Sequence, residues 1–266
     1  MDHPTVTRTM IRHLTRAALL CAGALAACDK NAVQHLPLAP ISSARIKFFN
    51  LGVGAPGVNF YANEAKLTAV FTSTETESTN GTTYGNVGNA GLYAAIAPGQ
   101  YALTGRIAAT TDKDLPIDTL SAAIADGKSY SFYLSGPYNT ATKNVDAFIV
   151  EDPVPAQDFS TAYVRLVHAI YNANPLALYA RPVGDTVTAH WTAIGTAVAY
   201  KGAGAFATIA PGVYDLGARF TDSTTNRMTF TGVSLVRGQI YTISARGNNT
   251  ATTGATRDSL SSSTNY

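Results

Sequence analysis

Residues 162–167 read Ala-Tyr-Val-Arg-Leu-Val, and residues 44–49 read Ala-Arg-Ile-Lys-Phe-Phe. Both alternate polar and apolar side chains, the period of a strand with one buried face. The correspondence continues in order along the chain. Leu178-Tyr179-Ala180 answers Phe60-Tyr61-Ala62, Ile209-Ala210-Pro211-Gly212-Val213-Tyr214 answers Ile96-Ala97-Pro98-Gly99-Gln100-Tyr101, and Gly238-Gln239-Ile240-Tyr241 answers Gly127-Lys128-Ser129-Tyr130. The separation within each pair shrinks along the chain, as it does for duplicated strands joined by loops of unequal length. Two long units are tandem domains and not a short-period solenoid.

The alternation, broken by Gly, Pro, Asn and Asp clusters and without long helical periodicity, predicts an all-β chain: two tandem antiparallel β-sandwich domains, immunoglobulin-like or transthyretin-like, with a closed barrel as the alternative. In the first unit strands are expected near 44–49, 57–62, 66–72, 91–96, 100–107, 128–134 and 145–150. The repeated Ala-Pro-Gly is turn chemistry, Pro fixing φ and Gly supplying a left-handed residue before the next strand. The recurring Tyr61, Tyr101, Tyr130, Tyr179, Tyr214 and Tyr241 read as core or strand-end residues with hydroxyls bonded to backbone. The units run over 44–152 and 161–266. Pro153 and Pro155 stiffen a connector at 153–160, and the second unit ends in a polar tail that either holds a weak strand near 257–261 or is loose.

Ahead of the repeats, Arg8, Arg12 and Arg16 precede an uncharged run from Ala17 to Ala27. A basic region followed by an apolar one is an export signal, here 1–27. At ~1.5 Å per residue the run spans about half the hydrocarbon core, too short for a stable transmembrane anchor. Leu25-Ala26-Ala27-Cys28 resembles a bacterial lipobox, which implies cleavage before Cys28 and lipidation at that residue. Residues 28–43 then form a lipidated terminus and tether. The expected address is the bacterial cell envelope, exported and lipid-anchored. Lys plus Arg total 19 and Asp plus Glu 17, but the leader holds three of the cations and Asp2, so the chain without it is formally neutral. A charged fraction of 14% excludes an electrostatically driven nucleic-acid binder. Cys21 leaves with the leader and Cys28 carries lipid, so a disulfide, a thiolate nucleophile or a Cys-based zinc site is excluded from the folded part.

Ala-Tyr-Val-Arg-Leu-Val-His-Ala at 162–169, the strand ending in Leu178-Tyr179, the Ala-Pro-Gly-x-Tyr turn and the Gly-x-x-Tyr strand resemble the domain of unknown function numbered 4397, from Ala44 to about Ala245. The first unit departs from the pattern with Phe49-Asn50 where the second has Val167-His168. The resemblance implies a β-sandwich at the cell envelope, often in tandem and in lipoproteins, and brings no activity, substrate or catalytic residue.

The chemistry-bearing motifs are few. Gly52-Val53-Gly54-Ala55-Pro56-Gly57 is a literal G-x-G-x-x-G, but a dinucleotide site needs a helix next, and Val58-Asn59-Phe60-Tyr61-Ala62 reads as a strand. No nucleotide is expected. His168 reads as a strand-end side chain tied to a backbone carbonyl, and His190 stands beside the lone Trp191. Neither has the companions of a zinc site or a histidine-based triad. Asp112, Asp114 and Asp118 share one loop and could offer oxygens to Ca²⁺, but they lack the Asp-x-Asp-x-Asp-Gly arrangement and read first as a solvated hairpin. Glu75 and Glu77, in Thr72–Thr79, would fall on one face of a strand.

No catalytic residue, metal or cofactor is expected. The reading is a non-catalytic structural or protein-interaction module, partnered with the membrane through its lipid and with an envelope protein. The alternative is a polysaccharide-binding lipoprotein that stacks sugar on the loop aromatics Trp191, Tyr171 and Tyr200.

Overall fold

The structure is a computed structural model describing residues 44–187 and 190–265. The expected leader, Cys28 and the expected tether lie outside the described residues. Each half of the described chain forms two sheets packed face to face.

In the first sandwich β1 (Ala44–Asn50) is flanked on one side by the short β4 (Asn86–Val87) and β5 (Ala94–Ile96), and on the other by β8 (Ser129–Asn139) and then β9 (Asn144–Glu151). The facing sheet has the order β3 (Ala65–Lys66), β2 (Val58–Ala62), β6 (Gly99–Ile107), β7 (Leu120–Ile124). The second sandwich repeats this order. One sheet is β13 (Ala207–Ile209), β10 (Ala162–His168), β16 (Ile240–Arg246), β17 (Ser259–Thr264), and the other is β12 (Thr192–Val198), β11 (Leu176–Pro182), β14 (Gly212–Phe220), β15 (Met228–Leu235). The strand pairs are antiparallel except one per sandwich: β1 runs parallel to β8 with Ile46 opposite Tyr130, and β10 parallel to β16 with Val164 opposite Tyr241.

Alternation decides which side chains go inside. Ile46 and Phe48 of β1 meet Phe60 of β2 and Phe132 of β8, and Phe48 stacks on Phe60 with ring centroids 5.0 Å apart. The matched positions of the second core are aliphatic: Val164, Leu166, Leu178 and Ile243. A third apolar cluster belongs to neither core. Phe49, Leu51, Tyr133 and Phe148, from the outward face of the β1 sheet, pack with Val167 and Ala169 from the β10 sheet. The sandwiches therefore meet through these two sheets, and β2 and β11 lie in the sheets farthest from the seam.

The strand readings hold with local exceptions. The expected strand at 66–72 shrinks to Ala65–Lys66, and Thr72–Thr79 is a hairpin turn in which the Thr72 amide donates to the Thr76 carbonyl. Glu75 sits at its tip with φ +61°, so the Glu pair does not share a strand face. The six Thr and Ser hydroxyls in this stretch can satisfy backbone locally, which competes with a ladder. The strand Leu120–Ile124 lies outside the expected set, because Ser and Ala dilute its alternation. The weak C-terminal strand is real and starts at Ser259.

Candidate functional site

The segment from Gly52 to Gly57 leads into β2 without a helix, and its last glycine is steric: a Cβ at Gly57 would stand 1.7 Å from the Asn80 carbonyl oxygen. The three loop acids go separate ways. Asp112 pairs with Lys143 at 3.0 Å, Asp114 accepts from the Tyr61 hydroxyl at 3.1 Å, and Asp118 accepts from the Gly105 amide at 2.6 Å. Burial pushes the Asp118 carboxyl up to about 7, against the Gly105 hydrogen bond. Glu77 is held by Lys66 at 2.8 Å and by Asn59 at 2.7 Å. Among the described residues no three His, Cys, Asp or Glu side chains gather as a metal site.

His168 is buried and bonded to backbone at both ring nitrogens: Nε2 donates to the Asn174 carbonyl at 3.1 Å and Nδ1 accepts from the Ile170 amide at 3.2 Å. Burial lowers its pKa, which keeps the ring neutral and fits this tautomer. His190 is exposed and lies 2.7 Å from Asp185.

Of the loop aromatics, two come together and one does not. Tyr200 and Tyr171 both lie against Gly136, where a Cβ would be 3.3 Å from the Tyr200 hydroxyl and 3.7 Å from the Tyr171 Cβ. The Tyr200 hydroxyl is 2.9 Å from Ser135 Oγ and donates to Asp146 at 3.3 Å, and its ring meets Phe148 and His168 edge-on. Burial is the first cause that raises its pKa to about 12. Tyr200 thus closes one end of the seam between the sandwiches. Trp191 lies on the outward face of the β11 sheet, with the Arg181 guanidinium 4.7 Å and that of Arg219 5.6 Å from its ring. The three aromatics do not form one platform.

Arg219 also stacks on Tyr179 at 4.1 Å and donates to Asn226 at 2.7 Å. The first sandwich carries the same pair on its outward face, Arg106 over Tyr61 at 4.4 Å. Equivalent registers explain the match, since Asn59 faces Arg106 across the ladder as Ala177 faces Arg219. Tyr61 and Tyr179 are therefore outward cation–π partners and not core residues. The other four repeated tyrosines do bond to backbone. Tyr101 and Tyr214 donate to the carbonyls of Ala97 and Ala210 across the Ala-Pro-Gly turn, and Tyr130 and Tyr241 accept from the amides of Ala125 and Val236.

The densest polar constellation was not legible from motifs, because its members are scattered along the chain. Arg165 of β10 forms an ion pair with Asp152, just past β9, with both side chains wholly buried. Arg165 also donates to Thr242 Oγ1 at 3.0 Å and to the Glu151 carbonyl at 3.2 Å. The other Asp152 oxygen accepts from Ser131 and Tyr93, each at 2.7 Å, and Asn265 bridges Tyr93 to Thr242. Lys47 of β1 donates to the Thr264 carbonyl at 2.5 Å with its ammonium 4.4 Å from the Tyr93 ring centre. Desolvation lowers the Lys47 pKa to about 8, opposed by Asp152 and aided by Arg165. Beside it Tyr133 stacks between Phe49 at 4.5 Å and Phe148 at 4.9 Å, and such pairs contribute ~0.5–1.5 kcal/mol each beyond burial. A buried charge pair with its lone pairs filled fixes geometry more than it adds net stability. The arrangement binds one sandwich to the other and offers no nucleophile next to a base.

Residues 44–179 match the model of the domain of unknown function DUF4397, from β1 through most of β11. No curated protein matches the chain. Solved structures similar to the chain include two of low identity. One is the carbohydrate-binding module CBMbc, of family CBM26, from Eubacterium rectale Amy13K in complex with maltoheptaose, 6% identical over 83% of this chain and 95% of that one, with a TM-score of 0.23. The other is a cell adhesion candidate from Bacteroides ovatus, 11% identical over 83% of this chain and 95% of that one, with a TM-score of 0.24.

Proposed function

The chain belongs to the DUF4397 family, and on that premise we propose that it is a non-catalytic structural or protein-interaction module of the bacterial cell envelope, anchored by lipid on Cys28. The observation that carries this reading is how the polar side chains are used. Those a reaction could enlist are engaged in the fold: His168 by backbone at both nitrogens, Asp152 by Arg165, Ser131 and Tyr93, and the loop acids by three separate partners. The lipobox behind a basic and apolar leader supports the anchor, and the strand-for-strand repetition of sheet order supports a second copy of the same domain over 161–266. The test is mass spectrometry of the mature N-terminal peptide with membrane fractionation of wild type and Cys28→Ser. Acylation at Cys28, and a variant released from the membrane fraction, are expected. An unmodified mature terminus contradicts the anchor.

Polysaccharide binding remains as a second reading because Trp191 is half-buried on an outward sheet face beside Tyr179. Tyr171 and Tyr200 do not join it, so this reading rests on Trp191, whose ring already meets two guanidinium groups. In affinity gels containing polysaccharide, retardation abolished by Trp191→Ala supports it. Retardation that survives the substitution removes it.

A further inference from the structure

The strands of both sandwiches run between two common ends. Ala44 opens β1 at one of them, β9 closes there, and β10 begins there after the connector. Contacts across the seam keep the ends in step: Asn265 meets Tyr93 at this end, and Tyr200 meets Ser135 at the other. The two ends of the second sandwich differ in chemistry. At the end of Ala44, the connector, the loops after β11 and β15 and the first residues of β14 present Phe159, Val183, Val187, Val213 and Val236, each between 47% and 67% exposed. Val183 and Val213 are adjacent, the Val183 amide donating to the Val213 carbonyl at 3.0 Å. The opposite end presents Asn174, Lys201, Asp222, Thr224 and Asn249 and, among the described residues, no large exposed apolar side chain. Single exposed valines are ordinary, but among the described residues every large exposed apolar side chain of this sandwich lies at one end.

The chain also enters the fold at that end. The fifteen residues 29–43 separate Cys28 from Ala44, and at most ~50 Å can be spanned by them. We propose that this end of the second sandwich is a membrane-docking surface, with Phe159, Val183, Val187, Val213 and Val236 seated in the interfacial layer of the bilayer that holds the lipid. The inference rests on the anchor reading above. The anchor supplies a high effective concentration of surface, so the contact works even where the unanchored chain binds weakly. Docking then presents the polar end away from the membrane.

The test uses the mature acylated protein in vesicles of phosphatidylethanolamine and phosphatidylglycerol. Cys28 is consumed by lipid, so a cysteine introduced as Phe159→Cys, Val187→Cys or Val213→Cys is the one free thiol and takes a polarity-sensitive fluorophore. Thr224→Cys is the comparator at the opposite end. The expected result is a blue shift and quenching by lipid-borne nitroxides at 159, 187 and 213 but not at 224, with the 159 and 187 shifts lost when Val213→Asp and Val236→Asp are added. Labels at 159, 187 and 213 as wet as at 224 overturn the proposal, as does a shift that appears only with an added envelope protein fraction. The mass of the N-terminal peptide separates the two readings. Acylated protein with wet labels keeps the anchor and refutes docking, whereas an unmodified terminus refutes the anchor, and labels that still shift on vesicles in the Cys28→Ser background, where the introduced cysteine is again the one free thiol, keep docking.

Discussion

Arg165 of β10 and Asp152 at the end of β9 form an ion pair in which neither side chain reaches solvent, and it lies between two sandwiches whose own cores are separate. Removing one partner strands the other charge in the seam. Breaking a buried pair in this way costs ~3–5 kcal/mol, whereas replacing both partners with apolar residues is often close to neutral. Asp152→Ala is therefore expected to lose ~3–5 kcal/mol in urea unfolding, and Arg165→Met with Asp152→Leu to recover most of it. An Asp152→Ala loss below ~1 kcal/mol would show the pair is not buried as described.

Lys47 gives the seam a pH signature. Its folded pKa of about 8 lies below the ordinary 10.5, so between those values the unfolded chain holds more protons. Stability attributable to Lys47 therefore rises as the pH climbs from about 8 to about 10.5. Lys47→Met should be more stable than wild type at pH 7, by on the order of 1–3 kcal/mol, with the gap closing toward pH 10.5. A gap that stays constant over that range contradicts the assignment.

Asp118 acts in the opposite sense. Its folded pKa of about 7 lies above the ordinary 3.8, and its Oδ2 is buried without a hydrogen-bond partner. The folded state holds the proton longer, so this contribution is present below about pH 4 and lost as the pH rises through about 7. Asp118→Asn should remove that fall, on the order of 2–4 kcal/mol between pH 4 and 8. Parallel pH–stability curves for wild type and variant would refute it.

The glycines of 52–57 separate steric need from backbone need. Gly57→Ala drives a Cβ into the Asn80 carbonyl and should cost ~2–3 kcal/mol, whereas at Gly54, with φ +76° and open space around it, alanine meets only the left-handed backbone penalty of ~1–2 kcal/mol. Thermal unfolding of the two variants gives the order, and a larger loss at Gly54 reverses the account.

Strand positions were legible because duplication prints each strand twice: the alternation at 44–49 and 162–167 and the Ala-Pro-Gly-x-Tyr turns locate matched strands even where spacing drifts. Their order in the sheets, with β1 parallel to β8 and β10 parallel to β16, was not. The seam was not legible. Lys47 and Arg165 occupy the polar positions of their strands, and alternation says only that such a side chain leaves its own core, whether for water or for another sheet. A faint signal existed in the partners, since Phe49, Tyr133 and Phe148 are large apolar residues on the same outward face. Tyr61 and Tyr179 misled for a related reason. Recurrence at matched positions marks a shared role, and here that role is stacking under Arg106 and Arg219 on the outside. Trp191 was separated from Tyr171 and Tyr200 by tertiary layering, which spacing along the chain does not encode.

The fusion of the two sandwiches through this buried seam is tested most directly by residual dipolar couplings of backbone amides in the mature protein. Couplings from β1, β2, β6 and β8 and those from β10, β11, β14 and β16 should fit one alignment tensor in the arrangement described. Two tensors of different magnitude or orientation would mean that the halves move independently about the connector, and the seam would then not be the joint.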